Sequence, residues 1–288
     1  MLVSGYIDPM DAYCVCNPLT RQWHILPHDM PYMFFGYRTG LWCDPNQYGS
    51  NKQLGDYKVV VLDVHSFVDV GADYVFRVAI FCSKTGEWSQ RNFSAPKADA
   101  LASGHVCFGE AVTSRGVLYF PLRFMGELVG FLALDPLTSD GYCRVVAVPD
   151  GFGGGWRAKV CRVCIGVVRG RLRVSQLLKA NEAFDLKVWE LLCDDDNEST
   201  AWVLVHDVSV KRDKRKTMFV VAFDPNNGDV IFVIMNNSIC KYKIKEEELE
   251  KVGQLPNVKR TVYEKEYLLD HFLQVYSFVH TSWPALPV

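Results

Sequence analysis

Residues 116–138 read GVLYFPLRFMGELVGFLALDPLT. Two runs rich in aromatic and branched residues, VLYFPL and LVGFLAL, flank Met-Gly-Glu, and the second runs into Asp-Pro. This is the pattern of a β-hairpin, with strand formers on both arms and a short Gly-containing turn between them. The Asp-Pro that follows opens another turn, because an Asp side chain accepts hydrogen bonds from downstream amides and Pro presets φ. A unit of strand, hairpin, strand and polar turn is legible here.

The same polar turn is written elsewhere. NPLTRQW occupies 17–23, CSKTGEW 82–88, DPLTSDG 135–141 and DPNNGDV 224–230, each behind an apolar run and ahead of another strand. Asn17-Pro18, Asp135-Pro136 and Asp224-Pro225 supply the turn chemistry. Trp23 and Trp88 open the outgoing strands of the first two copies, and Trp202 takes the same place after the polar loop CDDDNEST. Trp23 and Trp88 lie 65 residues apart (88 − 23). That interval suits a repeating four-stranded sheet, the blade of a β-propeller, which takes about 50 residues in kelch-type repeats.

The rest of the chain continues in short β-like runs broken by Gly, Pro, Asp and Asn. They include KVVVLDV (58–64), YVFRVAIF (74–81), YCRVVAV (142–148), VCRVCIGVV (160–168) and RLRVSQLL (171–178). LKVWELL (186–192), AWVLVHDVSV (201–210), TMFVVAF (217–223) and DVIFVIM (229–235) follow. Only IKEEELEKVG (244–253), with charges at helical spacing and a Gly near its end, reads as a helix; EYLLDHFLQVYSF (266–278) reads equally as helix or strand. The expectation is an all-β chain, a β-propeller, with one or two short helices near the C-terminus.

The chain has 288 residues, 49% hydrophobic and 22% charged, which supports a sizeable core. A formal charge of −2 gives no general attraction to nucleic acid or to an anionic membrane, so neither is expected as a partner. Ten cysteines sit mostly within apolar runs, among them Cys14, Cys16, Cys82 and Cys240. A secreted disulfide scaffold is shorter and sets Cys in its loops, so reduced thiols are expected. The opening MLVSGYIDPM lacks a basic, apolar leader pattern, and no apolar stretch nears the roughly 20 residues of a membrane helix. The expected location is intracellular, cytoplasmic or nuclear.

Taken together, YCVCNPLTRQWHILP, the GVLYF…GFLALDP unit, LKVWELL…AWVLVHDVSV, FVVAFDPNNGDVIFVIMNNSICKYKI and the ending SFVHTSWPALPV resemble the C-terminal F-box-associated domain of plant F-box proteins. The resemblance runs from about residue 13 to the end. It implies a kelch-like, non-catalytic propeller that recognises protein substrates for an SCF-type cullin–RING ubiquitin ligase. The expected domain is 13–288, with 1–12 as a short N-terminal remnant and a first blade lacking its opening strands. The family carries a three-helix F-box ahead of the propeller, which docks on the ligase adaptor. Residues 1–12 are too short for one, so adaptor and cullin are expected as partners only with an F-box upstream.

Residues with chemical potential have simpler readings. Cys161-Arg-Val-Cys164 has the spacing of a metal or redox pair, but positions i and i+3 of a strand point to opposite faces. GFGGGW (151–156) does not fit a phosphate loop. The histidines at 24, 28, 65, 105, 206, 271 and 280 form no metal motif, and His206 reads as a hydrogen-bonded strand residue. Asp194-Asp195-Asp196 reads as a hairpin tip and KRDKRK (211–216) as a charged connection rather than a targeting signal. The two flank one strand and could attract each other. No catalytic, cofactor or metal residue is expected. Candidates for a partner-binding rim are Tyr32, Phe34, Phe35, Tyr37 and Arg38, with Phe152, Trp156 and Arg157, since aromatics and Arg dominate binding hot spots. The competing reading of PYMFF is an inter-blade strand. Two alternative functions remain: a propeller-fold carbohydrate hydrolase, with carboxylates about 5 to 9.5 Å apart, and a truncated relative without independent role.

Overall fold

The computed structural model describes residues 2–7, 10–17, 22–27, 29, 37–43, 56–64, 68–98, 101, 106–153, 161–179, 183–193, 200–211, 218–236 and 238–254. Every named element among them is a strand, and every ladder is antiparallel. The first sheet holds β1 (Leu2–Ile7), β2 (Met10–Asn17) and β3 (Gln22–Ile25) in that order. In the second, β4 (Tyr37–Cys43) pairs with β5 (Tyr57–Asp63), while β7 (Asp73–Cys82) pairs with β5, the short β6 (Val68–Val70) and β8 (Glu87–Pro96). The third adds β9 (Val106–Phe108), β10 (Val112–Ser114), β11 (Val117–Phe124), β12 (Glu127–Leu134) and β13 (Cys143–Ala147), with β9 and β10 both on β11. These three sheets belong to one compact unit.

A second compact unit holds two four-stranded sheets. One runs β14 (Cys161–Val168), β15 (Arg171–Lys179), β16 (Ala183–Cys193), β17 (Thr200–Lys211); the other runs β18 (Met218–Phe223), β19 (Val230–Met235), β20 (Ser238–Lys243), β21 (Glu248–Gln254). Meandering sheets of this size, repeated along the chain, are the blades of a β-propeller.

The second sheet is covered on both faces, which explains why its inner strand β5 reads as an unbroken apolar run. In β5, Val59 and Val61 join a cluster with Tyr13, Val15 and Leu26 of the first sheet. Their neighbours Val60 and Leu62 point the other way, into a cluster with Leu118, Phe120, Leu122, Leu132 and Leu134 of the third. In the second unit Leu186, Val188, Val220, Ile231 and Val233 make the equivalent layer. The hairpin read at Met-Gly-Glu is present: Met125 and Gly126 both take positive φ, 50° and 88°, as the tight turn that suits strand twist requires.

The helix expected over 244–253 is not formed. Ile244–Glu247 is a turn, with Glu247 at φ 53°, and Glu248–Gln254 is strand β21 at the sheet's edge. Cross-strand pairing decides this outcome: Lys243 Nζ meets Glu248 at 2.7 Å and Glu246 at 3.0 Å, and Ile244 is buried beneath the turn. The stretch 266–278 lies outside the described residues. So do the acidic tip 194–196 and residues 212–216 of the basic segment.

The repeated turn occupies two positions. Three copies join the last two strands of their sheets, β2 to β3, β7 to β8 and β12 to β13; the fourth joins the first two strands of its sheet, β18 to β19. In an antiparallel meander these connections emerge at the same end.

Candidate protein-interaction surface

In the third and fifth sheets the repeated turn is built by side chains that cap their own backbone. Asp135 Oδ1 accepts from Leu137 N at 2.8 Å. Asp224 Oδ1 accepts from Asn226 N and Asn227 N, both at 2.9 Å, and Asn227 Oδ1 accepts from Asp229 N at 3.0 Å. These are the Asx turns that the sequence promised. Both carboxylates are thus engaged in holding loops. Among the described residues no group of three or more His, Cys, Asp or Glu gathers as a metal site. Cys164 is buried in the core, and burial pushes its thiol up to about 12.

In the first unit neighbouring sheets are stitched together by hydrogen bonds. Thr39 donates from N and Oγ1 to Glu110 Oε2 at 2.6 and 2.7 Å, Ala111 N donates to Thr39 O at 2.9 Å, and Thr113 Oγ1 to Leu41 O at 2.6 Å. Gly40 makes this closeness possible, since a Cβ there would lie 2.8 Å from both Ala111 Cβ and Leu118 Cδ2. The loop after β12 folds onto the outer strand β8: Ser94 N donates to Gly141 O at 2.7 Å, with Gly141 at φ 65°. Around that loop Leu137 and Tyr142 are exposed, and Arg91 reaches Thr138 O at 3.4 Å.

The rim candidates fall differently. Tyr37 opens β4 and packs half-buried against Tyr13, ring centroids 5.8 Å apart. Arg38 is committed to backbone, with Nε on Phe108 O and Nη1 on Tyr37 O. Phe152 meets Trp189 edge to face at 5.4 Å. Tyr32, Phe34, Phe35, Trp156, Arg157 and Pro18 lie outside the described residues. The structure brings Tyr37 and Arg38 together at the start of one strand and places Phe152 in the other unit. Of the repeat tryptophans, Trp88 donates Nε1–H to Pro27 O at 3.0 Å and packs on Phe81 and Tyr13, whereas Trp23 is 60% exposed and Trp202 is half-buried.

A polar cluster that the sequence reading missed lies at the turn end of the second unit. Glu190 sits between two arginines: Arg171 Nη1 at 2.8 Å, and Arg173, which reaches the other carboxylate oxygen through Nε at 2.8 Å and Nη2 at 2.7 Å. Arg173 Nη1 also donates to Gly228 O at 2.7 Å, and His206 Nε2 lies 2.9 Å from the same oxygen. Arg169 reaches across to Asn226 O at 3.0 Å. Burial raises the Glu190 carboxyl pKa, but hydrogen bonds from both arginines outweigh it and hold the group below its ordinary value. Asp229 is also held down, chiefly by the hydrogen bond from Lys245 at 2.8 Å. The available signal was charge at strand-interior positions, Arg173 in RLRVSQLL and Glu190 in LKVWELL.

Residues 2–267 match the family model described as F-box protein At3g26010-like, beta-propeller. The chain belongs to this family. F-box protein At5g49610 of Arabidopsis thaliana is 26% identical over 254 residues, covering 84% of this chain and 63% of that protein. The chain thus spans about 63% of the length of this curated relative.

Proposed function

We propose that this F-box propeller chain is the substrate-recognition part of an adaptor for an SCF cullin–RING ubiquitin ligase. It contributes binding, while ubiquitin transfer is performed by the ligase subunits. The observation that carries this reading is the construction of the loop-bearing ends. The shape comes from Asx caps and inter-sheet hydrogen bonds, while Leu137 and Tyr142 remain available to a partner. The acids of the repeated turn are spent on amides, which supports binding over hydrolysis. The module acts in the cytoplasm or nucleus, where the ligase works.

Affinity purification from plant tissue tests this, using the chain alone and joined to an F-box. Recovery of the adaptor and cullin by the joined form, with a shared set of further proteins in both, is the expected result. A joined form that recovers those further proteins but neither ligase subunit overturns the assignment.

A further inference from the structure

We propose that the tip of the β14–β15 hairpin, Arg169 with Arg171, takes the carboxylates of an acidic segment of a protein partner. This names the chemistry of the partner and rests on the substrate-recognition reading above.

The tip is a two-residue turn. Val168 pairs with Arg171 at the end of the ladder, and Arg169 and Gly170 between them take positive φ, 50° and 76°. It is fastened to the β18–β19 turn, since Arg169 N donates to Pro225 O at 2.8 Å and Arg169 Nε to Asn226 O at 3.0 Å. Arg173 Nη1 adds a second fastening on Gly228 O at 2.7 Å, where a Cβ on Gly228 would stand 2.8 Å from Arg173 Nη2. The arginines are carried on a fixed frame, which lowers the ordering cost of binding.

Charge at this tip does not balance. Arg169, Arg171 and Arg173 are three guanidinium groups, and among the described residues Glu190 is the one carboxylate bonded to any of them. Arg169 donates to carbonyl oxygens, which carry no net charge. The nearby acids are engaged elsewhere. Asp224 Oδ1 accepts two amides of its own turn, Asp229 takes Lys245 at 2.8 Å, and Lys243 holds Glu246 and Glu248. Glu247 lies on the β20–β21 turn, two strands or roughly 10 Å beyond the β18–β19 turn.

Each of the two arginines spends only part of its donor set on the fold. Arg169 uses Nε on Asn226 O, which leaves the Nη1–Nη2 fork; Arg171 uses Nη1 on Glu190, which leaves the Nε–Nη2 edge. Arg169 is exposed and the Arg171 side chain is 46% exposed, so these donors meet solvent. Paired N–H groups of this kind suit a carboxylate. A nucleic acid backbone is the poorer occupant, because a chain of net charge −2 gives a long run of phosphates no general attraction.

The test is fluorescence anisotropy on the whole chain, with a short labelled peptide of alternating Glu and Gly and the same peptide with Gln for Glu. The wild type is expected to bind the Glu peptide at least tenfold more tightly, with the preference shrinking as salt is raised. Arg169→Gln with Arg171→Gln should raise the Kd for the Glu peptide at least fivefold while the circular dichroism spectrum is unchanged. Arg169→Gln alone, which removes one bond to a carbonyl, should give part of that loss. Lys187→Gln with Lys251→Gln removes the same charge elsewhere in the unit and should leave the Kd within about twofold of the wild type. A wild type that does not distinguish the two peptides overturns the proposal. So does an arginine double variant that keeps the preference, a lysine double variant that loses it equally, or tighter binding to a single-stranded oligonucleotide of equal charge. The peptide assay needs no ligase subunit, so it can fail while adaptor and cullin are still recovered, and the reverse.

Discussion

Replacing Glu190 by Gln removes the one anion shared by two arginines. Arg173 and Glu190 have side-chain exposures of only 10% and 9%, so the charge left on Arg173 stays desolvated with Gly228 O as its remaining acceptor. Breaking a buried pair by removing one partner costs about 3 to 5 kcal/mol. Gln still offers one acceptor oxygen, so the lower figure, about 3 kcal/mol, applies. Arg171 is 46% exposed and its loss adds only about 0.5 kcal/mol. Converting the pair together, Arg173→Met with Glu190→Leu, should return stability to within about 1 kcal/mol of the wild type, because the desolvation penalty disappears with the charges. Urea denaturation followed by the fluorescence of the buried Trp189 reads both numbers. The pH dependence has a definite sign. The folded carboxyl is held below its ordinary value, so its contribution is full above the unfolded pKa of about 4.3 and is lost as pH falls through the folded value. The gap between wild type and Glu190→Gln should therefore be flat from about pH 5 to 8 and close in more acidic solution. A Glu190→Gln protein within about 0.5 kcal/mol of the wild type, or a double variant whose cost equals the sum of the singles, would refute the reasoning.

Three further outcomes follow from the same geometry. Gly141→Ala combines a positive φ with a Cβ placed 2.7 Å from Asn92 O, so it should cost about 2 kcal/mol or more and speed exchange of the Ser94 amide. Glu110→Ala leaves Thr39 N without its acceptor and should cost about 1 to 3 kcal/mol by urea denaturation; a neutral result would mean that water replaces the carboxylate fully. Burial tends to raise the Cys82 thiol pKa, yet amide hydrogen bonds from Thr85 and Lys84 and the charge of Lys58 carry it below the ordinary value. Cys43 and Cys164 are pushed up to about 11 and about 12 by burial, and Cys143 further still. Iodoacetamide at mildly alkaline pH should label Cys82 before these three by peptide mass spectrometry, and earlier labelling of any of them would contradict the assignment.

The long strands were legible because both of their faces are buried, which leaves unbroken apolar runs such as KVVVLD and VIFVIM. The turns were legible because Asp, Asn, Pro and Gly act locally. Strand β21 was not, for a physical reason: it is an exposed edge strand, so it shows no alternation, and its Glu and Lys residues, set for cross-strand pairing, fall by chance at helical spacing. Strands β6, β9 and β10 have three residues each, too few for any period. The position of Trp88 in the repeat gave its strand, but only the fold supplied the Pro27 carbonyl that holds its indole. In the Arg171–Glu190–Arg173 cluster the arginines stand 19 and 17 residues from Glu190 on a neighbouring strand, and a strand pattern shows where charges lie without showing which ones meet.

The Asx caps separate two properties that most binding loops entangle. Asp135 and Asp224 fix the path of their loops through bonds to main-chain amides, so the residues at the tips, Leu137 and Asn226 among them, supply backbone to the turn and nothing else. Their side chains are spectators of folding. A tip can be rewritten from apolar to charged while the loop keeps its course, so the set of proteins recognised can change without the fold being renegotiated each time.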